Sequence, residues 1–311
     1  MQPLVILALL AAFLVCIVLG ANNASACVRT SAGIRSIEYS TLAVVGGLGV
    51  TLGSMIEGGK LSNAIYGGVL ASQNDKVTII ILVATLAVMF VATILKLPLS
   101  LTQAMIGAAL PIGLLGTGVN WGFLTLVGGS WVATPLLAAT LSAVIYWVVR
   151  QMSGRIGSIF QRARIYAAIT VAGSFYVGYA LGANGVGLIR GIARSFLGTV
   201  PFLSLCLSIA AVAGIYLFGY TVTSTVSEKI LALAGAAALA AQVGGALTVH
   251  LFTQIGIPVS ITQAVVGGIV GIGQAKSIVI MNRRMILRIV FGWIVAPLAG
   301  LILAWLLLIL I

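Results

Sequence analysis

The sequence predicts an all-α polytopic membrane protein made of two inverted-topology repeats with broken or re-entrant helices, roughly 10–12 membrane elements in all. Three observations carry that expectation. Composition is the first: 61% of the 311 residues are hydrophobic and 6% are charged, whereas a soluble domain carries about a quarter charged residues. Such a chain cannot cover itself with a surface that water tolerates. The second is a set of long apolar runs, plainest at Val77–Leu95, Gly122–Val149, Tyr166–Leu181, Phe202–Tyr220, Ile230–Val249 and Ile286–Ile311. About 20 apolar residues in a helix cross the ~30 Å hydrocarbon layer, and runs without alternation select helices over barrel strands. The third is a repeat. Pro98-Leu99-Ser100-Leu101-Thr102-Gln103-Ala104-Met105-Ile106-Gly107 returns 160 residues later as Pro258-Val259-Ser260-Ile261-Thr262-Gln263-Ala264-Val265-Val266-Gly267. Every mismatch exchanges one apolar residue for another.

Charge excludes one class of partner. The net charge is +12, but the basic residues fall between apolar runs instead of gathering on one patterned face, so no nucleic-acid surface is implied. Arg155 and Arg162 within the one polar connector, residues 151–163, and Arg150 and Arg164 at its edges form the densest basic group, which the positive-inside rule places in the cytoplasm. Lys276, Arg283, Arg284 and Arg288 precede the last run. Both groups read as solvated charge facing lipid headgroups. Cys16, Cys27 and Cys206 have no metal or redox spacing, and His250 is the lone histidine. No catalytic cluster, metal site or cofactor is expected, which argues against an enzyme.

In chain order, Leu4–Gly20 is a retained first membrane segment, because no basic residue precedes Arg29 as a secretory signal would require. Gly20-Ala21-Asn22-Asn23 reads as a helix-breaking, hydrogen-bonding cluster at its end. A second run spans Thr41 to Ile56, and polar interruptions at Glu57–Lys60 and Gln73–Lys76 precede the third. The chain from Pro98 to Gly116 is broken by Pro111 and several glycines, which suits half-helices or a re-entrant hairpin. A long run with Trp131 and Pro135 closes the first half, 1–150.

The order then recurs over 164–311. Asn184 in Gly182-Ala183-Asn184-Gly185 lies 162 positions beyond Asn22, and Trp293 with Pro297 lies 162 beyond Trp131 with Pro135. Duplicated membrane proteins with interrupted segments at matching places are commonly transporters that bind substrate between the repeats. The chemistry at the breaks favours an anion. Proline is pre-set for a first helical turn, so Pro98 and Pro258 are read as helix starts. Ser100, Thr102 and Gln103, and likewise Ser260, Thr262 and Gln263, then cluster beside unpaired N–H groups at positive helix ends, which suit phosphate-like ligands. Helix capping alone would also use these hydroxyls, but it does not explain two copies that each keep the glutamine.

The second Pro-Ser-Thr-Gln copy, with Trp293 and Pro297 downstream, resembles the signature of the inorganic phosphate transporter (PiT) family. Gly20-Ala21-Asn22 and Gly182-Ala183-Asn184 resemble that family's Gly-Ala-Asn-Asp motifs. The resemblance covers nearly the whole chain. It implies a multi-pass plasma-membrane carrier with inverted repeats that moves phosphate by alternating access, coupled to sodium or a proton. It implies further that Ser100, Thr102, Gln103, Ser260, Thr262 and Gln263 contact the anion, together with Asn22 and Asn184. Asn22, Asn23 and Asn184 would line the cation side.

The departures from the family pattern are chemical. The aspartates are Asn23 and Gly185, the first threonine of each Ser-Thr-Thr is Leu101 or Ile261, and the histidine is Gln103 or Gln263. Only Glu38, Glu57, Asp75 and Glu228 are acidic, so a carboxylate-ligated sodium ion is disfavoured. Arg29 and Arg190 are read either as neutralising the anion or as reaching to the headgroups. Phosphate is the first choice of substrate. The alternatives are a sulfate or thiosulfate permease of the same fold and a passive anion channel. The expected partners are the inorganic anion and the bilayer, with a homodimer left open.

Overall fold

The computed structural model describes residues 3–24, 37–71, 75–95, 99–197, 201–230, 236–276 and 282–310. Arg29, Cys27 and Pro98 lie outside them. The first repeat contains α1 (Pro3–Ala24), α2 (Tyr39–Ile56), α3 (Asp75–Ile94), α4 (Leu101–Ile112) and α5 (Trp121–Gly154). The second contains α6 (Ile159–Leu181), α7 (Gly187–Leu197), α8 (Pro201–Ile230), α9 (Ala236–Gln254), α10 (Ile261–Ala275) and α11 (Arg283–Leu310). Eight helices among the described residues are long and apolar enough to cross a membrane, and α4 and α10 are the shorter apolar pair. On α11, Leu287, Phe291, Ile294, Leu298 and Ile302 are exposed at steps of three or four residues, which makes one apolar stripe suited to lipid.

The repeats interlock. Helix α1 packs along α8 and α2 along α6, while α4 packs on α11 and α10 on α5. Each pairing joins one half of the chain to the other, and each has its counterpart under the repeat. Small residues allow the close approach. A methyl group built on Gly20 would come within 1.9 Å of the Ala211 carbonyl, and one on Gly182 within 2.0 Å of the Val50 carbonyl. Gly214 against Ile17 and Gly53 against Tyr179 repeat the arrangement, each at 2.0 Å.

Two local expectations are corrected. Gly20–Asn23 does not break its helix, since α1 stays helical to Ala24. Glycine is required there by the backbone of α8, not by a turn. In the second repeat the helix does loosen, through a π-turn over Gly182–Val186 before α7. Nor does α10 begin at proline. Ser260 is its N-cap, because the hydroxyl accepts from the Gln263 N–H, and Pro258 sits two residues earlier. At 12 residues, α4 spans only about 18 Å, so it is a half-helix, followed by a π-turn at Gly113–Thr117.

Candidate functional site

Both half-helices start in the same way. Ser100 has φ −94° and ψ 116°, and Ser260 has φ −91° and ψ 117°. The Gln103 N–H donates to Ser100 Oγ at 3.3 Å, and the Gln263 N–H donates to Ser260 Oγ at 3.2 Å. These caps leave the N–H groups of Leu101 and Thr102, and of Ile261 and Thr262, without an acceptor in their own helix. Each start therefore offers outward-pointing amides and the positive end of a helix dipole.

The structure brings the two starts together. Thr102 Oγ1 donates to the Val259 carbonyl at 3.1 Å, so the first turn of α4 touches the residue that precedes the cap of α10. Asn22 donates to the Leu99 carbonyl at 3.1 Å and so ties the end of α1 to the residue before Ser100. Asn184 donates instead to Thr253 Oγ1 on α9 at 3.1 Å. Asn23 bonds back to Leu19 of its own helix at 3.0 Å. Arg190 lies on α7, where Nη1 donates to the Ser54 carbonyl of α2 at 3.5 Å.

Four buried polar atoms at this level have no hydrogen-bond partner: Oε1 of Gln103 and Gln263, and Nε1 of Trp131 and Trp293. They form two pairs related by the repeat. Both glutamines are 1% exposed, and leaving such groups unbonded costs about 1–3 kcal/mol each. Gly267 abuts Pro135 and Gly271 abuts Ala139, so α10 and α5 run parallel and Gln263 lies level with Trp131. Ser100, Thr102 and Ser260 are buried, and Thr262 is partly so. The arrangement can replace the hydration shell of a small oxyanion with hydroxyls, amides and helix ends.

A model of the Phosphate transporter family matches residues 19–170 and again residues 151–304. The chain belongs to the phosphate transporter family. A protein of Methanocaldococcus jannaschii, provisionally named a phosphate permease, is 30% identical over 304 residues, covering 96% of this chain and 95% of its own length. The sulfate permease CysP of Bacillus subtilis is 25% identical, covering 93% of this chain and 83% of that one. The solved structure of the sodium-dependent phosphate transporter superposes with a TM-score of 0.85 at 21% identity and covers all of both chains. That likeness establishes the fold. The family is one of transporters and not of enzymes, so this member is a multi-pass membrane protein of inorganic-anion transport.

This phosphate transporter family member carries a second polar cluster that the sequence does not announce. Glu57, just past α2, meets His250 of α9, with Nε2 and Oε2 2.9 Å apart. Gln254 donates to the same carboxylate oxygen at 2.7 Å, Lys60 Nζ lies 3.4 Å from the other oxygen and also bonds Gln254, and Tyr176 OH is 2.8 Å from His250 Nδ1. Partial burial alone would raise the Glu57 carboxyl, but the hydrogen bond from Gln254, His250 and the Lys60 charge outweigh it and hold it below the usual value. The one available signal is the scarcity of acids and histidine, which makes any pairing among them improbable by chance.

Proposed function

We propose that the chain is a secondary transporter of phosphate that holds the anion between the starts of α4 and α10 and works by alternating access. The observation that carries the reading is the Thr102–Val259 hydrogen bond, which sets two identically capped helix starts side by side. Ser100, Thr102, Gln103, Ser260, Thr262 and Gln263 supply hydroxyl, amide and carboxamide contacts. The unbonded carboxamide oxygens of Gln103 and Gln263 support this role, since each amide turned over presents its NH2 group there as a donor to a bound oxyanion. Rotation of an amide exchanges its oxygen for its NH2 group without changing its shape. Asn22 sets the position of α4, and Asn184 links the second repeat's π-turn to α9. Arg190 attracts the anion from the end of α2.

Binding of phosphate, sulfate, thiosulfate and molybdate to purified protein tests this directly. Phosphate should bind most tightly, and the Ser100→Ala, Ser260→Ala double variant should lose at least about ten-fold in affinity, or ~1.4 kcal/mol. Unchanged binding in the double variant removes the site. Counterflow of labelled phosphate separates a carrier from a channel. Sulfate is the second reading: glutamine at 103 and 263 and the missing aspartates remove proton acceptors that protonated phosphate would use. The Bacillus subtilis relative supports it. Tighter binding of sulfate than phosphate would select it.

A further inference from the structure

The cluster around Glu57 spans the repeat interface but belongs to only one side of it. Glu57 follows α2 of the first repeat, whereas Tyr176 on α6 and His250 and Gln254 on α9 come from the second. The offset of 160–162 residues carries His250 onto Val88–Phe90, Glu57 onto Leu217–Gly219 and Tyr176 onto Leu14–Cys16, with no titratable group but one thiol. The duplication that built the paired helix starts therefore did not build this cluster. It lies one turn from the contact that holds Asn184. Thr253, one turn beyond His250 on α9, accepts the hydrogen bond from Asn184 at 3.1 Å.

We propose, on the transporter reading above, that Glu57 and His250 form a proton-binding site that couples anion movement to a proton gradient. With the imidazole neutral, Tyr176 donates to Nδ1 and the Nε2–H donates to the carboxylate; the 2.8 and 2.9 Å distances fit that tautomer. A proton from water adds at Nδ1, which then donates to the tyrosine oxygen. The bond to Glu57 then joins two opposite charges instead of one charge and a neutral ring. Histidine as a class titrates near neutrality. The proton therefore tightens the contact between α9 and α2 while the repeats are closed there. When they part, the imidazole loses its carboxylate, Lys60 leaves with Glu57, and Tyr176 and Tyr179 of α6, whose rings lie 5.6 Å from the imidazole, stay; Arg190 and Arg194 on α7 are the charged groups of the second repeat on that side. Without the carboxylate the imidazolium is left beside neutral rings, and the proton returns to water. A ligand that binds one of two states more tightly drives the exchange between them, so the proton and the gate are linked.

The test uses full-length protein in sodium-free proteoliposomes. Wild type should exchange phosphate at equal concentrations and accumulate it when the outside is made acidic. His250→Gln keeps a donor to Glu57 but cannot take up the proton; it should exchange phosphate while losing most acid-driven accumulation, ten-fold or more. Accumulation by His250→Gln equal to wild type overturns the proposal. So does a wild type that exchanges phosphate but accumulates none. Absence of exchange in the wild type overturns the anion reading and this one with it. If His250→Gln does not reach the membrane, Tyr176→Phe keeps both titrating groups and must shift the pH of half-maximal accumulation; an unmoved pH profile overturns the assignment.

Discussion

Gly107 of α4 lies against Pro297 of α11 so closely that a methyl group on the glycine would sit 2.1 Å from the proline carbonyl. The repeat gives the same contact a second time, Gly267 against Pro135 at 2.3 Å. These contacts fasten each half-helix to a long helix of the other repeat, one turn beyond Gln103 and Gln263. The obstructing atoms are backbone, which cannot swing aside as a side chain would.

Gly107→Ala and Gly267→Ala should therefore each destabilise the folded protein by about 1–3 kcal/mol. Gly128→Ala and Gly129→Ala, where a methyl group meets open space, should be neutral or stabilising by up to ~1 kcal/mol. Melting temperatures in detergent compare the four. Equal losses in all of them would contradict the packing account.

Single removal of either cap hydroxyl, Ser100→Ala or Ser260→Ala, should cost about 1 kcal/mol of stability and weaken phosphate binding. The two should behave alike, because their caps have matching geometry. Calorimetric titration of each variant would show it. A strong effect at one serine with none at the other would mean that only one helix start faces the anion.

Replacing sodium by potassium or choline should leave uptake unchanged. The family's aspartates are absent, and the described residues contain no group of three acidic, histidine or cysteine side chains. Initial rates in proteoliposomes would measure the effect. Uptake that rises steeply with sodium would require the asparagine and backbone oxygens alone to hold the ion.

Acid should weaken the fold through Glu57. Its carboxyl is held below the ordinary value in the native state, so the native state favours the ionised form. The stabilisation is fully present above the unfolded carboxylate range and is lost as pH falls through the lowered value. Melting temperature followed from neutral to acid pH should drop more steeply in wild type than in Glu57→Gln. Parallel curves would place the acid sensitivity elsewhere.

The sequence made the helical class and the duplication legible because Asn22 and Asn184, Ser100 and Ser260, and Trp131 and Trp293 keep their order along the chain. The starts of α4 and α10 were legible for the same reason, down to serine and glutamine. The role of Gly20 was not, because what it answers to is the carbonyl of Ala211 in another helix. Glu57 and His250 were missed for a related cause. They stand 193 residues apart, and only the pairing of α2 with α6, and of α6 with α9, brings them into contact. Local pattern shows which face of a helix is apolar, but not which distant backbone fits its glycines.

The interlocking of the halves bears on how the molecule is made. As the leading half leaves the ribosome, the grooves on α1 and α2 and the polar tip of α4 have nothing to close over them until the trailing half is threaded into the bilayer. Final assembly is thus a late, post-insertion event. Two separately expressed pieces, cut in the loop between Gly154 and Ile159, should find one another in the same membrane, while either alone should be cleared by proteolysis.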